Sequence, residues 1–315
     1  MPEKSKRSIW IKLVIILMVI VLGVAGAGLF MKFHYKDIVE SKIKTELNNR
    51  IIPEIYTNID FTVFKTFPDA SVVFYNTTVA DPLRKDSILL KAEKIYFRFN
   101  LMDIIRKEYR LSRIDIITGQ LNLFVDKDGN ENFDIIRQKT DSVKEALSLE
   151  LEKVLLRDMR ITYDDHKSDN YISAEAERAT AKGKFGEEDF NLETAGNFHL
   201  EKYRIEKNVL AENDELIVDL VMKVSPSAGK FTLGSGQIEF NSVPLEVSGA
   251  VDYHKEQLMN VKLMSPALDL NKIMDDLPDD IADDLAPYKF AGKPFINIQL
   301  SGAYGGNANP HIEAS

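Results

Sequence analysis

The sequence predicts a mainly β protein carried on one N-terminal transmembrane helix. Three observations predict it. Ile9–Met31 is an almost unbroken apolar run, about ten later segments alternate apolar with polar residues, and helical spacing is confined to a few short stretches.

Composition narrows the function classes. The chain has 315 residues and a formal net charge of -9. Met1–Met31 holds Lys4, Lys6, Arg7 and Lys12 against Glu3, a sum of +3, so the rest carries -12. A chain without a basic surplus is a poor ligand for a phosphate backbone, which argues against nucleic acid as a partner. Hydrophobic residues at 44% and charged residues at 28% describe a chain that folds. The absence of cysteine excludes disulfides, thiolate metal sites and a cysteine nucleophile, and leaves the redox compartment open.

In chain order, residues 1–8 form a basic tail and 9–31 the span. Nineteen of those 23 residues are apolar, the others being Lys12 and three glycines. A helix of that length reaches about 34 Å, enough for the hydrocarbon core. Trp10 and Lys12 suit the interface at one end. A cleaved signal peptide is the competing reading, with Ala25-Gly26-Ala27 as the small-residue site, but the apolar run continues through Leu29, Phe30 and Met31. A buried core helix is a third reading; so continuous a run has no polar face for water. A short basic tail before a first span points to a cytoplasmic N-terminus. Lys32, Lys36, Lys42, Lys44 and Arg50 beyond the span weaken that bias. The remaining chain is expected outside, in the periplasm of a diderm bacterium.

Residues 32–52 read as a helix leaving the membrane, with Val39, Ile43, Leu47 and Ile51 as its stripe and Pro53 as its end. From Ile59 the period becomes two. The rows are Phe61 and Val63; Ala70, Val72 and Phe74; Ile95, Phe97 and Phe99; Ile114 and Ile116; Leu121, Leu123 and Val125; Met159, Ile161 and Tyr163. Later rows are Leu216 to Val224, Leu245 and Val247, Val261 and Leu263, then Ile296, Ile298 and Leu300. Such alternation gives strands with one apolar face. Asp81-Pro82, Asp126-Lys127-Asp128-Gly129, Ser225-Pro226 and Gly234-Ser235-Gly236 supply turns between them. Three helical stretches are expected: Leu101–Tyr109 capped by Asn100, one from Asn132 carrying Ile135 and Ile136, and a pair broken at Pro278. Segment 138–152 is ambiguous between helix and linker and is a candidate sub-boundary in a β domain running from 53 to 315. No tandem repeat of fixed period is visible.

So many half-apolar strands meet too few helices to cover them, although every apolar sheet face needs a cover. Either the sheet closes on itself as a sandwich or barrel, or an apolar face stays open for a ligand or partner. Periodicity leaves both open.

Catalytic and metal chemistry have no visible seat. His34, His166, His199, His254 and His311 are isolated from one another. There is no nucleophile elbow, and Gly229-Lys230 lacks the upstream glycine of a phosphate loop. The loop at Asp126 has Glu131 and Arg137 where a calcium loop needs Gly and Glu, so a turn is expected. Asp275, Asp276, Asp279, Asp280, Asp283 and Asp284 fit a solvated helix face. No enzyme, cofactor or metal is expected.

The layout resembles the N-terminal region of the AsmA family: a basic tail, one early span, then amphipathic strands. Within it, Leu111–Ile136 looks like the family's strand, small turn and second strand, followed by a Gly-x-x-Asn turn at Gly129 and Asn132 before an apolar helix. Pro266–Pro278 is similar to the family's strand and Leu-rich helix ending in Pro, and Ile296 to Leu300 with Gly302 fits the next strand. Family members are usually far longer, and His311–Ser315 reads as mid-strand, so a fragment or an unusually short member is expected.

That resemblance implies a bridge-like lipid transfer protein of the cell envelope, with TamB-like relatives. Its elongated, curved antiparallel sheet would form a U-shaped groove with an apolar floor. Acyl chains would lie in the groove, each buried methylene contributing about 0.8 kcal/mol, and the membrane helix would hold one end at the inner membrane. The candidate groove residues are the apolar rows: Val72, Phe74, Ile95, Phe97, Phe99, Ile116, Leu121, Leu123, Ile161, Val218, Leu220, Met222, Leu245, Val247 and Ile298. Alternation alone does not separate a groove floor from a dry core. Phospholipid and the inner membrane are the expected partners, toward outer-membrane assembly. The competing reading is a membrane-tethered scaffold with an envelope protein partner, influencing outer-membrane protein assembly.

Overall fold

The computed structural model describes residues 41, 55–62, 66, 69–106, 108, 110–135, 148–185, 187–252, 258–265, 295–303 and 310–314. The expected span 9–31, all of the helix 32–52 except Ser41, which is helical and exposed, the broken helical pair at Pro278 and residues 138–147 of the ambiguous segment lie outside these residues. Among the described residues no helix is long and apolar enough to cross a membrane.

Alternation produces strands throughout. They are β1 (Ile55–Thr62), β2 (Asp69–Ala80), β3 (Ile88–Asn100), β4 (Arg110–Val125), β5 (Ser148–Asp165), β6 (Asn170–Lys182) and β7 (Phe190–Ile205). Then follow β8 (Asn208–Ala211), β9 (Asp214–Ser225), β10 (Lys230–Phe240), β11 (Val243–Asp252), β12 (Leu258–Ser265), β13 (Ile296–Ala303) and β14 (His311–Ala314). All belong to one sheet in chain order, except that β8 pairs only with β7 and β9 takes the next place on the path.

Two expectations need correction. The sheet is antiparallel except at β4 and β5, which run parallel. A parallel neighbour needs a long crossover, and residues 126–147 supply it. The rows at Ile114 and at Leu121, expected as two strands around a turn, belong to the single strand β4. Thr118 takes φ 53° inside it, which breaks the alternation without reversing the chain.

Helix is scarce. α1 spans Leu101–Ile105, shorter than expected, and Asn100 accepts the Met102 N–H at 2.8 Å as its N-cap. No helix starts at Asn132: residues 131–135 form a bridge and turn. Asn132 is fully buried, and its side chain is committed to tying loops instead of capping.

The sealed core lies at the β1 end. Phe61, Ala70, Val72, Phe74, Ala92, Ile95, Phe99 and Leu111 pack with Ile104 of α1, and Phe97, Ile114 and Ile116 lie against them. The Phe74 and Phe97 rings stand 4.9 Å apart in a tilted pair.

Candidate functional site

Cross-strand partners in a ladder share a face, so register shows which side chains line up. One row runs Phe61, Val72, Phe97, Ile114, Val154, Ala181, Thr194, Leu220, Gly236, Val247, Leu263 and Ile298, one residue from each of twelve strands. Thr194 is its one polar member. Two positions away on the same face runs a second row: Ile59, Phe74, Ile95, Ile116, Leu156, Ala179, Gly196, Val218, Ile238 and Leu245. A third holds Met222, Leu233, Gly249, Val261, Leu300 and Ile312. One face of the sheet is therefore apolar across nearly its whole width.

A crease crosses these rows. Asn76, Thr118 and Asp158 have φ of 49°, 53° and 51°. They lie abreast with Glu93 and Glu177, between the register pairs on either side. In β6 against β7 the same level carries a register shift between Ala176 and Arg178. Each of β2–β6 thus spends one extra residue at this level. Alternation changes phase there, so Ile95 and Ala92, three apart, sit in one cluster. Without that phase change the apolar residues beyond the crease would turn to the opposite face.

The structure brings all fifteen candidate residues onto this face, in two environments. Val72, Phe74, Ile95 and Phe99 are buried in the sealed core, with Phe97 and Ile116 packed on it. Leu121, Leu123, Ile161, Val218, Leu220, Met222, Leu245 and Ile298 are half-buried, and Val247 is buried. Along β9 the division is strict: Leu216, Val218, Leu220, Met222 and Val224 are half-buried while Ile217, Asp219, Val221 and Lys223 are exposed.

Between β5 and β9 this face holds an open trough of about 450 Å³. Val154, Leu156, Ile161, Ile172, Ala174, Phe198, Leu200, Leu216 and Val218 are among its lining residues. Its volume lies within the range of about 300–1,000 Å³ usual for ligand clefts. Tyr163 contributes a phenol at one end. Burial, then the Asp165 charge, push its pKa up to about 12, and its hydroxyl donates to Asp165 at 3.2 Å. It therefore enters the trough as a neutral group.

Several trough residues had no strand signal of their own. Ala174, Ala179 and Ala181 of β6 read as a neutral stretch, because alanine marks neither helix nor sheet strongly by alternation. Their spacing across the crease resolves once the phase change at Glu177 is known.

On the opposite face a polar hollow of about 910 Å³ follows the crease, bordered by Lys91, Glu93, Asp158, Arg160, Glu175 and His199 among others. Arg160 bridges Glu175 at 2.8 Å and also Glu201, and His199 meets Glu215 at 2.9 Å. Opposite charges already pair within it. Among the described residues no group of His, Asp or Glu is placed to hold a metal.

One buried polar node fixes the loops at the far end of the strands. Asn132 accepts the Phe124 N–H at 2.8 Å and donates to Asp81 at 2.8 Å and to the Asn122 carbonyl at 2.9 Å. Asp126 accepts the N–H groups of Asp128 and Asn130, both at 2.9 Å, which makes the expected turn.

The model of the AsmA family matches residues 1–272 of this chain. The comparison with curated proteins and that with solved structures returned no match.

Proposed function

The chain belongs to the AsmA family, and on that premise we propose that it is an inner-membrane-anchored periplasmic protein that handles phospholipid along its apolar sheet face. The observation that supports this most is the row from Phe61 to Ile298, one residue per strand over twelve strands. From β5 onward the members of the apolar rows are mostly half-buried. An apolar face of this extent is unfavourable in water and is relieved by acyl chains. The path for them runs from Leu121 and Leu123 through the trough at Ile161 and Val218 to Leu245 and Ile298. Curved about this face, the sheet would enclose a U-shaped groove. Ile9–Met31 would hold the chain in the inner membrane. The activity requires no catalytic group, only continuous apolar contact that exchanges one hydrocarbon environment for another.

The test is lipid retention by the full-length protein, purified and analysed by mass spectrometry after extensive washing. The proposal expects bound phospholipid that falls in Val218→Asp and Ile161→Asp, both at half-buried trough positions, while the β circular-dichroism signal persists. Unchanged lipid in both variants, or none in the wild type, would overturn it and favour a protein-binding scaffold.

A further inference from the structure

On the face of β5 and β6 opposite the apolar rows, two like-charged pairs stand directly across the ladder: Lys153 opposite Lys182, and Arg157 opposite Arg178. Leu155 and Thr180 lie between them. Arg113 of β4 is the register partner of Lys153 and extends the row. Like charges placed opposite each other destabilise a sheet, so the fold gains nothing from this arrangement. Nor does overall composition explain it, because the chain carries a net charge of -9.

Counter-charges are few. Arg113 pairs with the buried Asp115, and Lys182 lies 3.5 Å from Glu193. Among the described residues no carboxylate is within ion-pair distance of Lys153, Arg157 or Arg178. Burial, with Arg113 and Lys182 alongside, holds the Lys153 amine below its ordinary value. Arg157, Arg178 and Lys182 are exposed, so an external anion can reach them.

We propose that Lys153, Arg157, Arg178 and Lys182 form a docking surface for the anionic headgroups of the membrane to which the chain is tethered. This rests on the membrane-anchored reading above. Charge complementarity selects an anionic occupant, and guanidinium groups suit phosphate in particular. The tether selects the membrane. Residues 32–54 separate the apolar segment from β1, and even at the rise of a helix they reach about 34 Å. β5 and β6 lie four and five strands from β1, about 19–24 Å away across the sheet. The quartet is thus within reach of the surface that holds the chain, whereas an acidic protein would have to arrive separately.

The chain has no cysteine, so Thr180→Cys at the centre of the quartet gives a unique labelling site. The full-length protein, labelled there with a fluorophore, is reconstituted in vesicles containing headgroup-quencher lipid. Quenching should rise about twofold when roughly a third of the phosphatidylcholine is replaced by phosphatidylglycerol, and fall again in about 0.5 M salt. A label at the exposed Thr232 should show no such rise. Arg157→Gln with Arg178→Gln should abolish the effect, and Lys153→Gln with Lys182→Gln should weaken it. Both variants relieve repulsion, so their urea midpoints should hold or rise. Equal quenching in neutral and anionic vesicles, or undiminished quenching in the arginine variant, would overturn the proposal. So would a label that ignores lipid charge but responds to added polyglutamate, which would point to an acidic protein. Phospholipid retention on the same preparations separates this idea from the groove: retention without headgroup quenching sinks the docking surface alone.

Discussion

Thr118 and Asp158 lie abreast on the two parallel strands, with φ of 53° and 51°. A β-branched residue in this region is strained, whereas Asp158 tolerates it, and the two left-handed residues keep the apolar rows on one face across the crease. Thr118→Asn should therefore raise stability by about 1 kcal/mol, since asparagine tolerates the conformation. Its neighbour behaves oppositely. A Cβ on Gly119 would stand 2.0 Å from the Lys91 carbonyl oxygen, a backbone atom that cannot swing away. Gly119→Ala should cost about 1–3 kcal/mol. Urea denaturation of both variants checks the pair, and a stabilised Gly119→Ala would contradict the crease geometry.

Asn132→Ala should destabilise the protein by about 2–4 kcal/mol. It leaves the Phe124 N–H and the Asp81 carboxylate short of partners in a buried site. Asn132→Asp should be at least as damaging, because it sets a second carboxylate against Asp81 and removes two donors. Equilibrium unfolding measures both; a loss below about 0.5 kcal/mol for Asn132→Ala would show the node to be dispensable.

Acid should unfold the protein through hydrogen-bonded carboxylates at this end, the buried Asp81 and the half-buried Asp165. Burial alone would raise the Asp81 pKa. Hydrogen bonds from Asn132, from the Arg84 and Leu83 N–H groups and from the Arg84 side chain outweigh it and hold the carboxyl below 3.8. Asp165 is lowered likewise, its burial outweighed by Ser168, the Lys167 N–H and Tyr163. A depressed carboxylate contributes stability above its unfolded pKa and loses it as pH falls through the folded value. The urea midpoint should then be level from about pH 7 to 5 and fall below about pH 4. Asp81→Asn should flatten that fall while lowering the midpoint at neutral pH; an unchanged acid slope would contradict this assignment.

Much of this was legible from the residues. The rows at Val72, Phe97, Leu220 and Ile298 announced strands because their alternation is strong, and chain-order pairing then aligned them. The crease was not legible. Its residues Asn76, Glu93, Thr118, Asp158 and Glu177 share no type, and only the three-residue step between Ile116 and Gly119 or Leu156 and Met159 marks the phase change. The parallel join of β4 and β5 was equally hidden, since alternation carries no direction. Asn132 read as the start of a helix, because asparagine opens helices as readily as it clamps buried loops; tertiary contact with Asp81, 51 positions away, decides between them.

Charge placed on one face of β9 should be tolerated where charge on the other is not. Val221 is 47% exposed on the polar face, and Val221→Asp should shift stability by less than about 0.5 kcal/mol and leave retained phospholipid unchanged. Val218→Asp, three residues earlier on the apolar face, should remove it. Thermal melts alongside lipid analysis check both, and equal lipid loss in the two variants would contradict the division of faces.

The most direct measurement is photo-crosslinking to phospholipid in native membranes. A photoreactive residue is placed singly at each position from Ile217 to Met222 of the full-length chain. Crosslinks should alternate, strong at Val218, Leu220 and Met222 and absent at Ile217, Asp219 and Val221. Uniform labelling, or labelling confined to the odd positions, would show that acyl chains do not lie on the apolar face.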